Sequence, residues 1–218
     1  MLDLARAGGE EGLWLRAERQ TQGRGRQGRA WVSPAGNLYA STLVRLRAED
    51  PPAATLALVA AVALEEAVRV FLLRGATIKW PNDLLIDGAK LSGILLERSG
   101  DAVVIGFGVN LARHPDDTDR TATSLAAHAA APEPHIVLET LAEIFARWLQ
   151  RWRSEGLAPI RERWLARAHP IGTALSVRQY DAPPLEGLFD GLDPGGALIL
   201  RLADGTRHVM HAADVFLI

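Results

Sequence analysis

The sequence predicts an α+β fold, with helices packed against a sheet through about residue 168 and a small β-barrel after it. Three observations carry this. Apolar runs of strand length recur at 13–18, 37–44, 77–80, 91–97 and 102–106, with no room for a helix between the last three. Two longer stretches, 51–73 and 136–155, are patterned as helices. From His169 the texture changes to short runs separated by Pro and Gly turns.

In order along the chain, Leu13-Trp14-Leu15-Arg16-Ala17-Glu18 alternates in part and reads as a strand. Asn37–Val44 is a second, introduced by Ser33-Pro34-Ala35-Gly36. Pro51-Pro52 opens a helix whose core contacts are Leu56, Val59, Ala63, Val68 and Phe71. Asp87-Gly88 is a hairpin signal joining the run at 77–80 to that at 91–97, and Ser99-Gly100-Asp101 leads on to 102–106. These runs read as an antiparallel meander. Residues 112–122 carry no periodicity and read as a mobile polar loop. In the next helix, Leu138, Leu141, Ile144, Phe145, Trp148 and Trp152 recur at three- and four-residue spacing, which makes the tryptophans core residues. A second helix follows over about 158–168. Beyond it, runs at 174–177, 185–189, 197–202, 206–210 and 215–218 are the five strands of the barrel. The domains are therefore 1–168 and 169–218.

The whole chain bounds the function. Its 218 residues, 48% of them hydrophobic, suffice for one large domain or a medium one with a small appendix. A formal charge of −2 argues against binding nucleic acid through bulk positive charge. With no cysteine there is no disulfide, thiolate nucleophile or zinc–thiolate site. The opening residues lack a secretion signal. Residues 53–73, the nearest approach to a membrane span of roughly 20 apolar residues, are interrupted by Glu65, Glu66 and Arg69. A cytoplasmic location is expected.

Chemistry concentrates at a few places. Residues 23–31 read GRGRQGRAW, with three glycines and three arginines in seven positions before Trp31. Glycine lets the main chain approach a ligand, and arginine offers a planar fork of donors to carboxylate and phosphate oxygens. Composition alone leaves two readings open, an anion cradle or an RGG-like flexible stretch that touches RNA.

Downstream, KWPND over 79–83 puts a cation, an aromatic and two polar acceptors at a strand end. Lys90 precedes a strand in which Gly93 leaves room for a ligand, and GFGVN over 106–110 closes another with two glycines and an amide. Each has an ordinary alternative. Lys90 could be a solvated hairpin residue, Asp83 a turn cap, and Gly106 and Gly108 a bulge. Glu97 and Asp101 lie near strand ends, and the six histidines show no metal-ligand pairing. Neither GxxxxGK[ST] nor GxSxG occurs.

The combination is more telling than its parts. Arg24, Arg26 and Arg29 join Lys79 and Lys90 on neighbouring strand-loop units, without an evident nucleophile. That inventory suits a reaction between two anions, such as carboxylate attack on a nucleotide α-phosphate, where cations offset repulsion and positioning supplies much of the rate.

GRGRQGRAW, KWPNDL, KLSGILLE and GFGVN, in this order and spacing, resemble the catalytic core of the biotin–protein ligases, and the segment ending in Asp214-Val215-Phe216-Leu217 resembles their C-terminal SH3-like domain. The resemblance implies a mixed sheet backed by helices, related to class II aminoacyl-tRNA synthetases. It implies formation of biotinyl-5′-AMP from biotin and ATP, then transfer of biotin to a lysine of a biotin carboxyl carrier domain, as in acetyl-CoA carboxylase. By motif position, Gln20, Gly23, Arg24 and Arg26 would line the biotin and acyl-phosphate site. Lys90 would hold the reacting oxygens, with Arg26 beside it. Gly93 and Gly106 would abut biotin, while Arg29, Trp31 and Asn110 would serve the adenylate. Asn82 and Asp83 would organise the nucleotide and Mg²⁺, and 112–122 would cover the intermediate.

The family pattern also implies a monomer or homodimer, with no membrane partner. A DNA-binding helix-turn-helix found in some members has no room here, so operator binding is not expected. Members usually begin the domain with a strand and a Ser-Thr-Asn loop that helps bind biotin. Met1-Leu2-Asp3-Leu4 instead reads as the helix after that loop, so the true start is expected upstream. A smaller departure, at His211-Ala212-Ala213-Asp214, is expected to touch the β module and not the chemistry. The competing functions are a lipoate- or octanoyl-transferring relative and a non-catalytic binder.

Overall fold

The computed structural model describes residues 1–72, 75–116, 121–179 and 183–218. After a short helix α1 (Leu2–Arg6), the apolar alternation resolves into six strands: β1 (Trp14–Ala17), β2 (Leu38–Arg45), β3 (Thr77–Lys79), β4 (Asp83–Ile86), β5 (Ala89–Ser99) and β6 (Ala102–Val109). They form one sheet in the order β1-β2-β6-β5-β4-β3, every ladder antiparallel. Two isolated parallel bridges, Ile78 to Ala168 and Lys90 to Ala122, join later segments to it. The Asp87-Gly88 turn is present, with both residues at positive φ (49° and 80°) as a two-residue hairpin demands. It connects β4 to β5, however, and not β3 to β5. Leu84-Leu85-Ile86, too short a run to stand out, forms the extra strand because all four β4 residues are buried.

One face of the sheet carries the core. Helix α2 (Leu56–Phe71), between β2 and β3, buries eleven of its sixteen residues, so it is apolar almost all round. Helix α3 (Pro134–Glu155) packs along it and α4 (Ala158–Leu165) closes the layer. Leu56, Val59, Ala63 and Val68 are wholly buried, each larger side chain contributing about 1.5–3 kcal/mol. Trp148 and Trp152 are core residues as expected, and their indole N–H groups donate to Glu66 Oε2 and Thr55 Oγ1 at 2.9 and 2.8 Å. The fully buried Glu65 of α2 is held by Arg69 at 3.0 Å and Arg163 at 3.3 Å, which ties α2 to α4.

The opposite face is nearly bare. Strand register places Tyr39, Gly108 and Gly93 in one cross-strand row, Ser41, Gly106 and Leu95 in the next, and Leu43, Val104 and Glu97 in a third. Helix α1 and the arginine-rich loop lie over this face, α1 packing Ala5, with Met1 and Leu2, against Leu43, Ala102 and Val104.

The last strands are β7 (Ala174–Arg178), β8 (Leu185–Leu192), β9 (Leu198–Arg201), β10 (Arg207–Met210) and β11 (Asp214–Leu217). They pair antiparallel in the order β10-β9-β8-β7-β11. The five expected strands are there, but among the described residues no ladder joins β10 to β11, so the sheet is open where a closed barrel was expected. This module docks through α4 and the β3–β4 turn: Arg161 donates twice to Leu192 O, and Trp80 Nε1 to Gly196 O at 3.2 Å.

Candidate active site

The loop between β1 and β2 folds back on itself. Trp31 N donates to Gly23 O at 2.9 Å and Gly25 N to Arg29 O at 2.7 Å, and Gln27 takes a left-handed conformation at the tip. A Cβ on Gly23 would lie 2.4 Å from Trp31 O. Glycine here is what lets the loop close on itself.

A cavity of about 720 Å³ lies between this loop and the bare face of the sheet. Gln20, Arg24, Arg26, Arg29 and Trp31 line it from the loop. Asn82, Asp83, Lys90, Gly93, Gly106 and Asn110 line it from the sheet. Trp31 lies flat on the floor, where a Cβ on Gly108 would meet its ring at 2.6 Å and one on Gly93 at 3.4 Å. The indole Nε1 is buried without a hydrogen-bond partner among the described residues. Lys90 Nζ stands 5.6 Å from the ring centroid, within cation–π range.

Asp83 is the centre of charge. Its carboxylate takes Lys90 Nζ at 2.6 Å on one oxygen and Lys79 Nζ at 3.2 Å on the other, and it is almost wholly buried. Burial pushes its pKa up, but Lys90 and Lys79 outweigh burial and hold the carboxyl below its ordinary range. Lys79 also donates to Val215 O at 2.9 Å in the C-terminal module. The arrangement delivers the Lys90 ammonium to the cavity with a fixed anion behind it.

Backbone bonds fix Lys90 further. Its N–H donates to Thr121 O at 2.8 Å, and its carbonyl accepts from Thr123 N at 2.9 Å. Asn110 Nδ2 donates to Thr123 O at 3.0 Å, so the amide read as a ligand contact also braces this segment. Of the 112–122 loop, residues 117–120 lie outside the described residues.

Three participants escaped sequence reasoning. Asn37 Oδ1 accepts the N–H groups of Leu111, Ala112 and Arg113, each at 3.0 Å, and Nδ2 donates to Arg113 O, which turns the chain off the end of β6. The buried amide after the Ser33–Gly36 turn was the one available signal. Gly108, the second glycine of GFGVN with a bulge as its ordinary alternative, is the seat of Trp31. Asp214 lines the cavity and pairs with Arg29 and, at 3.8 Å, with Arg26, while Arg26 Nη1 donates to Ala213 O at 3.1 Å. The departure at 211–214 therefore reaches the arginine loop, contrary to the expectation that it touches the module alone. Burial depresses the Arg26 pKa, Asp83 opposing this and Arg29 adding to it.

A magnesium site at Asn82 and Asp83 does not fit. Asp83 is taken by two ammonium groups, and Asn82 Nδ2 donates to Ile94 O. No cluster of three or more acidic or histidine groups exists among the described residues.

A cleft that gathers cations in this way suits an enzyme that offsets negative charge developing between two anions, as in activation of a carboxylate by a nucleotide. The comparisons agree: a model of the biotin/lipoate A/B protein ligase family matches residues 7–110, and one of the biotin protein ligase C-terminal domain matches 176–218. The biotin–acetyl-CoA-carboxylase ligase of Paracoccus denitrificans is 44% identical over 93% of this chain and 89% of its own. That of Mycobacterium tuberculosis is 34% identical over 94% and 79%. Among solved structures, biotin protein ligase from Leishmania major in complex with biotinyl-5-AMP has a TM-score of 0.67 at 29% identity, covering 97% of this chain and 92% of that one. Biotin protein ligase from Aquifex aeolicus in complex with biotin and ATP has a TM-score of 0.89, covering 100% and 94%, and at 24% identity it speaks for the fold. The chain belongs to the biotin protein ligases.

Proposed function

We propose that this chain is an ATP-dependent ligase that activates biotin as biotinyl-5′-AMP and transfers it to a lysine of a biotin carboxyl carrier domain. The observation that carries the reading is the convergence of Lys90, anchored by Asp83, with the arginine loop on a cavity floored by Gly93, Gly106 and Gly108.

In the first step a biotin carboxylate oxygen attacks the α-phosphorus of ATP and pyrophosphate leaves. Both reactants are anions, so Lys90, Arg24, Arg26 and Arg29 offset their repulsion and stabilise the charge that develops. Gly106, where a Cβ would meet nothing closer than 3.7 Å, leaves room for the apolar body of biotin, Gln20 and Arg24 flank it, and Trp31, seated over Gly108 and Gly93, serves the adenosine with Asn110. Lys90, held from behind, bridges the carboxylate and phosphate oxygens. In the second step the amine of the carrier lysine attacks the acyl carbon, AMP leaves, and the amine's extra proton passes to solvent or to AMP. Magnesium enters as part of the MgATP substrate and is held by the phosphates. We assign the reaction to the cytoplasm, where a cysteine-free chain and its carriers meet. No helix among the described residues is long and apolar enough to cross a membrane.

The test is mass spectrometry of a carrier domain incubated with the chain, biotin and MgATP. Addition of one biotin is expected, and Lys90→Ala should lose at least a hundredfold in adenylate formation, about 2.7 kcal/mol of transition-state stabilisation. Full activity of that variant would remove Lys90 from the mechanism. An unmodified carrier with the parent chain would overturn the function.

A further inference from the structure

The start of β11 touches both cationic groups of the site. Ala213 O accepts from Arg26, Asp214 pairs with Arg29 and Arg26, and Val215 O accepts from Lys79. Two of these contacts use backbone carbonyls and do not depend on the Asp214 side chain. The carboxylate adds to these docking contacts, and it sits in the lining of a cavity that carries Arg24, Arg26, Arg29 and Lys90 beside the carboxylates of Asp83 and Glu97.

We propose that Asp214 is a built-in counter-anion for the phosphate subsite. It occupies the guanidinium groups of Arg26 and Arg29 until the phosphates of the nucleotide take them, and it reclaims them as pyrophosphate departs. The inference rests on the ligase reading for the identity of the phosphoanion. The exchange is physically easy. The Arg29 side chain is 46% exposed, that of Arg26 26% and that of Asp214 15%, so solvent reaches the pairs from the arginine side and screens them in part. A diphosphate offers more charge and more acceptor oxygens than one carboxylate, and guanidinium groups grip it bidentately. A resident carboxylate therefore sets an upper limit on how tightly the loop holds phosphate. It keeps Arg26 and Arg29 paired in the empty site and opposes retention of the product. Asp214 is a positioning residue in this scheme and forms no bond to substrate.

The test is calorimetric titration of inorganic pyrophosphate into the full chain and into Asp214→Asn, which keeps the shape and removes the charge. The variant should bind about fivefold more tightly, the equivalent of roughly 1 kcal/mol for the lost competition. Asp214→Glu should behave like the parent. Should Asp214→Asn fail to fold, Asp214→Ser tests the same charge with a smaller side chain. Equal or weaker binding by the neutral variants, or no pyrophosphate binding by any form, overturns the proposal. These titrations need no turnover, so they decide on Asp214 even if the chain fails to biotinylate a carrier.

Discussion

Replacing Asp83 with Asn tests the charge arrangement most directly. The substitution is nearly isosteric, so packing is preserved and only the anion between Lys79 and Lys90 is lost. The two lysines differ in their options: the Lys90 side chain is 25% exposed and can turn to solvent, whereas that of Lys79 is 7% exposed and cannot. Most of the cost falls on Lys79, which keeps Val215 O as an acceptor but loses its counter-charge. Stranding one partner of a buried pair costs about 3–5 kcal/mol, and the surviving carbonyl bond brings this nearer 2–3 kcal/mol. Urea unfolding followed by circular dichroism would read the loss. Adenylate formation, followed by pyrophosphate exchange, should fall at least tenfold at concentrations where the variant is folded, because Lys90 is no longer held in place. Asp83→Asn/Lys79→Met, which removes the stranded ammonium, should regain stability without regaining activity. A single variant as stable and as active as the parent would refute the reasoning.

Further outcomes follow from the same geometry. Gly108→Ala puts a methyl 2.6 Å from the Trp31 ring, so the indole must shift; a cost of about 1–3 kcal/mol is expected, together with a change in tryptophan emission. Gly106→Ala meets only ordinary contacts at 3.7 Å and should leave stability unchanged within about 0.5 kcal/mol, while reducing biotin affinity measured by calorimetry. His169, at the junction with the module, has its pKa lowered to about 4, chiefly by burial and then by Lys79. Its native form is neutral, so the unfolded chain binds the extra proton and stability falls as pH drops from about 6.5 towards 4. Allowing for partial exposure, the loss is about 1–2 kcal/mol, and His169→Gln should flatten that part of a pH–melting curve.

Legibility of the site followed the range of the interactions. The arginine loop, KWPND, Lys90 and the glycines of β5 and β6 announce themselves because their chemistry lies in residue type and short spacing. The core of α2 and the tryptophans of α3 were readable from helical periodicity alone. Asp214 was not, since its meaning depends on Arg29, 185 positions away, and only the folded chain brings them together. Asn37 looked like an ordinary strand residue because its partners are backbone N–H groups, which leave no mark in a sequence. Gly23 has a structural role that the sequence did not disclose. A glycine in an anion-binding motif looks like a ligand contact, whereas here the crowding comes from the loop's own carbonyl at Trp31. Strand β4 was hidden by its brevity.

The bond from Lys79 to Val215 O bears on how this protein can be recombined. A main-chain carbonyl of the C-terminal module neutralises part of the charge demand inside the catalytic sheet, so the border between the modules runs through the active centre. A chimera that grafts the module of a relative must reproduce the backbone path of 213–215 to within a hydrogen bond's tolerance and keep an acid at 214. Exchanging the two modules therefore alters the surroundings of the Lys79–Asp83–Lys90 cluster as well as the seam between them.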